Sequence, residues 1–205
     1  MSGGAVGGPV SGGAVSGGAV GGPVSGGAVG GPVSGPVNGP VSDGLRIRQL
    51  VDDDWDAVAE LEHAAYAADG LSEGREALQS RARSSPATCF VLEERGLVRG
   101  YLLSLPYPPL RCPDLGRPEV AAYESRNLHV HDLVIAEELR GREVALGFMR
   151  HFREQAVGQG YERISMVAVR GADILLRLLG YRAHREVAVP ECYGRRAVYM
   201  SMPVD

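Results

Sequence analysis

The chain has 205 residues and a formal net charge of −4, and all 21 of its basic residues are arginine. This charge is too small, and the arginines are too dispersed, to indicate a nucleic-acid-binding surface, and no apolar stretch is long enough to cross a membrane. The three cysteines are far apart and lack metal-ligand spacing, which favours a reducing cytoplasm: Cys89, Cys112 and Cys192.

The N-terminal segment has a different composition from the rest of the chain. Apart from Met1, the first 42 residues contain only Ser, Gly, Ala, Val, Pro and one Asn, and the unit SGGAVGGPV occurs three times. Such a composition cannot bury enough apolar surface to offset its ordering entropy. We therefore expect residues 1–43 to be a disordered tail and residues 44–205 to form one globular domain.

The first half of the domain alternates between strand and helix patterns. LRIRQL, from Leu45, predicts a half-buried strand, and VDDDWDAVAELEHAAY predicts a helix with Asp53 as N-cap. SEGREALQSRARS predicts a second, more polar helix that ends before Pro86. TCFVLEE and VRGYLLSLPY, on either side of Gly96, predict a β-hairpin. A proline-rich loop follows from Pro106 to Asn127, and loops of this length are often functional.

The second half begins with LHVHDLVI, which predicts a central strand because of its apolar density. VALGFMRHFREQAVGQG is a clear amphipathic helix, ended by Gly158 or Gly160. The strand RISMVAV, a short helix stopped by Gly180, and the strands YRAHREVAV and RRAVYMSMPV complete the domain. The order β-α-α-β-β-loop-β-α-β-α-β-β predicts a mixed α/β fold with one sheet and helices on both faces.

The loop EELRGREVA, between the central strand and the clear helix, has features of an anion site. A helix N-terminus presents free backbone N–H groups and the positive end of a dipole, which together bind phosphate. Arg140 and Arg142 add positive charge on either side of Gly141. Because many α/β loops share this pattern, the loop alone does not define a function.

The order of elements and several motifs together resemble the GCN5-related N-acetyltransferase (GNAT) superfamily. Its members typically carry an apolar strand, then Arg/Gln-x-x-Gly-x-Gly/Ala, then a helix, which corresponds here to LVIAEELRGREVALGFM, with Arg140 first and Ala145 last. A strand and a short helix ending in Gly-Phe or Gly-Tyr follow, here Gly180 and Tyr181. The YGRRAVYMSMP ending looks like a family terminal strand. The resemblance, to an uncharacterised bacterial subgroup, covers the domain but not the tail and implies a mostly antiparallel sheet.

The resemblance implies an acyl-CoA site with acetyl-CoA as co-substrate. In the family, the pantetheine lies between two splayed strands, held here by backbone groups near Leu133, Val134 and Ile135. No metal is expected, because His129 and His131 lack a third ligand. The pyrophosphate would be bound by backbone N–H groups of the loop residues Leu139, Arg140, Gly141, Arg142, Glu143, Val144 and Ala145.

Two residues depart from the family pattern. Glu143 stands at the first family glycine, where a carboxylate either points outward or repels the pyrophosphate; we expect weakened but not abolished acyl-CoA binding. Leu176 stands where many members have a tyrosine that protonates the departing thiolate. Tyr193 and Tyr199 are candidate substitutes, although strand tyrosines more often pack in a core.

The reaction needs a base to take a proton from the ammonium group of the acceptor. Asp132 and His131 are the best candidates, because they lie on the strand beside the expected thioester. Strict alternation puts Asp132 on one face with Leu128, Val130 and Val134, and His131 on the other. Burial would then raise the pKa of Asp132 unless it is paired. A structural role for Asp132 and plain packing of His131 stay open as alternatives.

The sequence therefore predicts a cytoplasmic N-acetyltransferase that moves an acetyl group from acetyl-CoA to a primary amine of a small molecule by direct attack. One alternative is a catalytically weak or inactive acyl-CoA sensor, which Glu143 and Leu176 favour. Another puts the function in the tail, with the domain as a partner module. No nucleic-acid or membrane partner is expected, and a homodimer is left open.

Overall fold

The computed structural model of the chain describes residues 39–42, 44–140 and 142–204. Most of the segment predicted as a disordered tail, residues 1–38 and Asp43, lies outside the described residues. The remaining part, Gly39–Ser42, forms a strand (β1) that pairs antiparallel with Leu45–Gln49 (β2). Pro40 is tolerated there because β1 lies at the edge of the sheet. Regular structure therefore begins inside the predicted tail, ahead of residue 44.

The described residues contain one eight-stranded sheet in the order β1-β2-β3-β4-β5-β6-β8-β7. Every neighbouring pair is antiparallel except β5 and β6, which are parallel. This confirms the predicted mixed, mostly antiparallel α/β fold, although β7 is shorter than expected. After β2, the strands are β3 Phe90–Glu94, β4 Leu97–Pro106, β5 Asn127–Ile135, β6 Arg163–Ala168, β7 Arg182–His184 and β8 Val198–Pro203.

Helices cover both faces of the sheet and bury a separate apolar core on each. On one face, the core includes Leu128, Val130 and Phe148 and lies under the third and fourth helices; on the other, Leu78 and Val134 belong to a core under the first two. No helix in the described ranges has the length and apolar character to cross a membrane. The helices are α1 Trp55–Tyr66, α2 Arg75–Ser84, α3 Arg142–Gly158 and α4 Asp173–Leu178.

The start of α1 differs from the prediction that Asp53 caps it. Asp53 is exposed, and a single 3₁₀ turn, Asp52–Asp54, precedes the helix. The buried carboxylate is that of Asp54, which accepts the N–H of Val51 at 2.9 Å and the guanidinium of Arg48 at 2.7 Å. Asp54, not Asp53, stands at the N-cap position of α1, and its carboxylate bonds Arg48 and Val51 without capping the helix.

A β-bulge in β5 breaks the alternation expected from the sequence. Leu103 of β4 pairs with Asp132, but the next residue, Ser104, pairs with Val130, so His131 is an extra residue on β5. Leu128 and Val130 pack in the core under α3, whereas Asp132 contacts Tyr101 in the core under α1 and α2. The prediction that Asp132 shares a face with Leu128 and Val130 is therefore wrong.

Candidate active site

A cleft opens where β5 and β6 separate. In the described residues the β5–β6 ladder ends at Val130 and Met166, after which β5 continues along β4 and β6 continues along β8. The space between them is about 980 Å³, including its open mouth, and its described lining is mainly apolar. Helices α3 and α4 and the loops around Leu71 and Leu115 form its other walls. The sheet thus provides a long apolar groove between two strands.

One edge of β5 faces this cleft. The N–H of Ala136 donates to the carbonyl of Arg99 on β4 at 2.8 Å. Because backbone groups alternate between the two edges of a strand, those of Leu133 and Ile135 point to the opposite edge, which β6 has left. The backbone groups of Val134 point towards β4 instead, and its side chain is buried in the core under α1 and α2. An extended ligand could therefore bind the backbone groups of Leu133 and Ile135 but not those of Val134.

The start of α3 lies at one end of the cleft, and only part of the predicted phosphate loop is free for a ligand. The N–H groups of Leu139 and Arg140 donate to the carbonyls of Ala136 and Glu137, at 3.0 and 3.1 Å, in a 3₁₀ turn. The first helical turn, from Arg142 to Ala145, keeps the N–H groups that no α-helix satisfies internally. The N–H groups of Leu139 and Arg140 are therefore already bonded within the turn, and the pyrophosphate contacts predicted for them would require those bonds to exchange.

The side chains of this loop are largely turned outward. Glu143 and Arg140 are exposed, and the guanidinium Nε of Arg140 donates to the carbonyl of Ile135 at 3.3 Å. Val144 packs against the core under α3, and Ala145 lines the cleft. Gly141 lies outside the described residues, as does the side chain of Arg142. A cation and an anion thus flank the helix start.

Asp132 lies in the cleft wall just beyond the bulge and is 8% exposed. Its carboxylate accepts hydrogen bonds from the hydroxyls of Tyr66, at 2.7 Å, and Tyr101. Burial raises its pKa from 3.8 to about 6, although the two hydrogen bonds and the nearby His131 act in the opposite direction. The carboxyl group therefore changes its protonation state close to neutral pH, as suits a general base.

His131 is turned towards α2 and the segment that precedes it. Its Nε2 lies 2.7 Å from Oε1 of Glu73 and 2.8 Å from Nε of Arg81, and its side chain is completely buried. Since the residue as a whole is partly exposed, the exposed part is its backbone. Asp132 also contacts α1, through Tyr66, so the two side chains do not point to opposite faces as predicted. The bulge at His131 causes this difference, because the extra residue breaks the alternation of side chains along β5.

Glu73 and Arg81 form a buried ion pair behind His131. Their side chains are 7% and 1% exposed, and the guanidinium of Arg81 also donates to the carbonyls of Asp114 and Arg117, at 3.1 and 3.2 Å. Burial would raise the pKa of Glu73, but His131 and Arg81 outweigh it and hold that pKa below its usual 4.5. The pair connects α2 to the proline-rich loop and fixes one wall of the cleft.

Tyr193 lies in a 3₁₀ turn, Glu191–Tyr193, and not in the strand expected from the sequence. It is buried in the cleft wall, and its hydroxyl donates to the carbonyl of Pro113 at 2.9 Å. Burial raises its pKa well above 10. Leu176 of α4 lines the same cleft, whereas the hydroxyl of Tyr199 accepts the N–H of Leu110 at 3.0 Å. Tyr193 is thus the candidate acid that reaches the cleft.

Sequence reasoning did not identify Tyr66, Glu73 and Arg81. A signal was present for Arg81, because it falls on the buried stripe of α2 with Ala77 and Leu78. An arginine in an apolar stripe requires a buried anion, since an unpaired buried charge is very costly. The identity of that anion depends on the tertiary structure.

The metal ligands considered for this strand do not form a cluster in the structure. His129 is buried; its Nδ1 lies 2.9 Å from the hydroxyl of Ser165, and burial lowers its pKa to about 3. In the described ranges no group of three or more His, Cys, Asp or Glu side chains could hold a metal ion. His129 packs as a neutral side chain.

An apolar groove between two diverging strands, with a helix N-terminus at one end and a buried carboxyl group in its wall, suits an extended ligand that carries an anionic group. The sequence matches the Acetyltransferase (GNAT) family over residues 55–181, more than half of the chain. The chain therefore belongs to this family, and the resemblance noted from the motifs is confirmed.

Solved structures of low sequence identity share the fold. The loading GNATL domain of CurA from Lyngbya majuscula matches with a TM-score of 0.67 and 13% identity, over 78% of this chain and 98% of that one. N-acetylglutamate synthase from Neisseria gonorrhoeae, complexed with coenzyme A and N-acetyl-glutamate, matches with a TM-score of 0.60 and 16% identity, over 78% of this chain and 35% of that one. Phosphinothricin acetyltransferase from Sinorhizobium meliloti, in complex with AcCoA, matches with a TM-score of 0.56 and 16% identity, over 78% of this chain and 88% of that one. A comparison with curated protein sequences gave no match.

Proposed function

We propose that this chain is an N-acetyltransferase that transfers the acetyl group of acetyl-CoA to a primary amine of a small molecule by direct attack. The observation that carries this proposal is Asp132, a buried carboxyl group with a pKa of about 6 in the wall of the cleft between β5 and β6. Its position combines a binding groove with a base that works near neutral pH. The three free cysteines, Cys89, Cys112 and Cys192, support a cytoplasmic location.

The residues around the cleft fit acetyl-CoA. The first-turn N–H groups of α3, from Arg142 to Ala145, suit the pyrophosphate. The open edge of β5 at Leu133 and Ile135 suits the pantetheine amides, which would bind as an added strand does. Arg140 lies at the carbonyl of Ile135 and must release it for that carbonyl to bind the co-substrate. Acetyl-CoA supplies an activated thioester, and the rest of the chemistry falls to the protein.

The bulge supplies the polar groups of the reaction. The backbone of His131 is the exposed part of that residue, and a backbone N–H at this point can stabilise negative charge on an acyl oxygen. Asp132 accepts the proton of the acceptor's ammonium group, while Tyr66 and Tyr101 hold its carboxylate in position. His131 is a positioning residue in this scheme, because its side chain is enclosed by Glu73 and Arg81.

The departing thiolate needs a proton that Leu176 cannot supply. Tyr193 is our proposed donor, since it lines the cleft and carries a hydroxyl group. That hydroxyl now donates to the carbonyl of Pro113, and it must exchange this bond to act as an acid. Tyr193→Phe should lower kcat by about tenfold or more without changing acetyl-CoA affinity. An unchanged kcat would leave Tyr193 with a packing role only.

The proposal is tested by calorimetry with acetyl-CoA and by a thiol-release assay over a panel of primary amines. Wild-type protein should bind acetyl-CoA and release CoA when an amine is added. Asp132→Asn should keep acetyl-CoA binding and lose about 100-fold or more in kcat. Asp53→Asn, at an exposed acid, is the matched control and should behave as wild type. Absence of acetyl-CoA binding at millimolar concentration would refute the proposal.

The alternative function is an acyl-CoA-binding sensor with weak or no catalysis. Two observations favour it: Glu143 stands exposed in the first turn of α3, where it can repel the pyrophosphate, and Leu176 replaces the usual acid. The sensor would bind acetyl-CoA in calorimetry but release no thiol with any amine. Measurable thiol release that depends on Asp132 would exclude it.

A further inference from the structure

The acceptor end of the cleft is assembled from several segments that hydrogen bonds tie together. Tyr66 at the end of α1 contacts Asp132, and Glu73 contacts His131. Arg81 connects Glu73 to carbonyls of the proline-rich loop. Tyr193 contacts Pro113 of the same loop. These contacts make one continuous wall, in which Leu71 and Leu115 supply the apolar part.

The charge on this wall is one-sided. The acidic side chains among its described residues are Glu73 and Asp132, and the described lining contains no arginine. The one titratable base in that described lining, His131, has a completely buried side chain that is held between Glu73 and Arg81. Arg81 is the nearest guanidinium, but its side chain is 1% exposed, and it neutralises Glu73 from behind. Asp132 has two tyrosine hydroxyls as hydrogen-bond partners, whereas the nearby His131 is bonded to Glu73 and Arg81 and not to Asp132. When ionised, it is therefore a negative charge that a bound cation can neutralise.

A carboxylate on the acceptor has no equivalent partner. Apart from the carboxylates of Glu73 and Asp132 and the enclosed His131, the surfaces that it would meet are Leu71, Leu115 and the rings of Tyr66 and Tyr193. Burying an unpaired carboxylate against apolar groups is costly, and repulsion from Asp132 adds to that cost. An amine of the same size without an acidic group avoids both costs and keeps the favourable contact of its ammonium group.

From these contacts we propose that the acceptor is an apolar monoamine, a primary ammonium group on an aryl or alkyl body that carries no carboxylate. This inference rests on the proposed function for the transfer reaction itself. The ammonium group lies against Asp132, and the apolar body lies between Leu71, Leu115 and Tyr193. Amino acids are excluded by the wall and not by the reaction chemistry.

The test compares phenethylamine with L-phenylalanine, which differ only in the carboxylate. With saturating acetyl-CoA, kcat/KM should be at least about tenfold higher for phenethylamine. Equal or better use of phenylalanine would overturn the inference and leave the transferase proposal intact. In parallel, calorimetry measures binding of each compound to the CoA-saturated protein. Binding of phenethylamine in preference to phenylalanine, without turnover, would support the selectivity of the wall and contradict the transfer reaction. Absence of binding of either compound at millimolar concentration would refute the inference.

A variant makes the test independent of the wild-type preference. Leu115→Arg adds a cation to the apolar wall in a loop, where folding is least affected. It should reduce the preference for phenethylamine by about tenfold, because the new guanidinium can pair with the carboxylate of phenylalanine. Val120→Arg is the matched control, since Val120 lies on the same loop, is 95% exposed and is absent from the described cleft lining. An equal shift in both variants would overturn the inference, because it would reflect overall charge.

Discussion

Asp132 is a single residue at which folding and catalysis make opposite demands. The groups that face it are Tyr66, Tyr101, His131 and Glu73, and of these the two tyrosines donate hydrogen bonds. Because burial raises its pKa from 3.8 to about 6, the folded protein holds a proton between these pH values that the unfolded chain releases. The stability from this proton is present below pH 4 and is lost as the pH rises towards 6.

At pH 8, Asp132→Asn should therefore have a free energy of unfolding about 1–3 kcal/mol higher than wild type. This gain should vanish at pH 4, where Asp132 is protonated in the folded wild-type protein. Urea unfolding followed by fluorescence of the single tryptophan, the buried Trp55, measures the difference. Asp53→Asn serves as the control with no expected change. A loss of stability at pH 8 would show that the tyrosine–carboxylate bonds outweigh the burial cost. Greater stability with lost activity would mark Asp132 as a residue kept for function.

Glu143 raises a different question at the same scale. Its carboxylate suits the positive end of the α3 dipole, but it also lies where a pyrophosphate would bind. Glu143→Gln should tighten CoA binding about 2- to 5-fold at low salt, because a like charge is removed. The gain should disappear in about 1 M salt, where charges are screened within about 3 Å. Calorimetry measures both conditions, and Glu154→Gln, an exposed acid farther along α3, is the control. Unchanged affinity at low salt would mean that the carboxylate faces away from the pyrophosphate.

Among the secondary-structure elements, the shape of the cleft depends on β4 and β5. The bulge at His131 lets β5 leave β6 while it remains paired with β4. Gly100 of β4 lies opposite Ile135, in the part of β5 that follows the bulge. The absence of a side chain at Gly100 allows the two backbones to approach closely. The open edge at Leu133 and Ile135 thus depends on a strand that does not itself line the cleft.

Gly100→Ala should destabilise the fold by about 1–3 kcal/mol, because a Cβ there would lie 2.8 Å from the carbonyl oxygen of Val134. The measurement is urea unfolding of the purified variant, with CoA affinity as a second readout for the displaced edge of β5. Gly158→Ala is the matched control, since a Cβ at that helical position meets nothing within 4 Å. It should be neutral or slightly stabilising. Equal effects of the two substitutions would contradict the argument from close approach.

At the scale of the whole molecule, the helical layers on the two faces of the sheet supply different parts of the cleft. The α3–α4 face supplies the helix start and the apolar floor of the cleft, and the α1–α2 face supplies Tyr66, Glu73 and Arg81 for the acceptor wall. The sheet between them carries Asp132. The composition of residues 1–38, which lie outside the described residues, leads us to expect that this arrangement does not need them. Strand β1 is different, because it covers the outer edge of β2 and thereby the strand that carries the buried Ile47.

Removal of residues 1–38 should leave stability and acetyl-CoA binding unchanged, whereas removal of residues 1–43 should cost about 1–3 kcal/mol through the lost hydrogen bonds of β1. Urea unfolding and calorimetry of the two truncated proteins, each against the full chain, separate the two expectations. A large loss on removing residues 1–38 would contradict the tail prediction. No further loss on removing β1 would mean that this edge strand contributes nothing to the stability of the domain.

The sequence by itself determined the order of helices and strands from β2 onward, the family and Asp132 as the first residue to test. These follow from local periodicity and from motifs contiguous in the chain, such as LVIAEELRGREVALGFM, in which strand, turn and helix are adjacent. Helix α3 was predictable because it buries one regular stripe of apolar residues, and strand β5 was predictable because it is apolar along most of its length. The same contiguous motif predicts a phosphate loop at the start of α3, and this stays a prediction.

Only the tertiary structure decided which side chains meet in the cleft. The bulge at His131 arises from the pairing of β5 with β4, so no pattern within β5 reveals that it brings His131 and Asp132 to the same helical layer. The bonds from Tyr66 to Asp132 and from Arg81 to Glu73 join residues whose positions depend on how α1 and α2 pack on the sheet. Contacts between distant parts of a chain are set by packing, and local propensity carries no record of them.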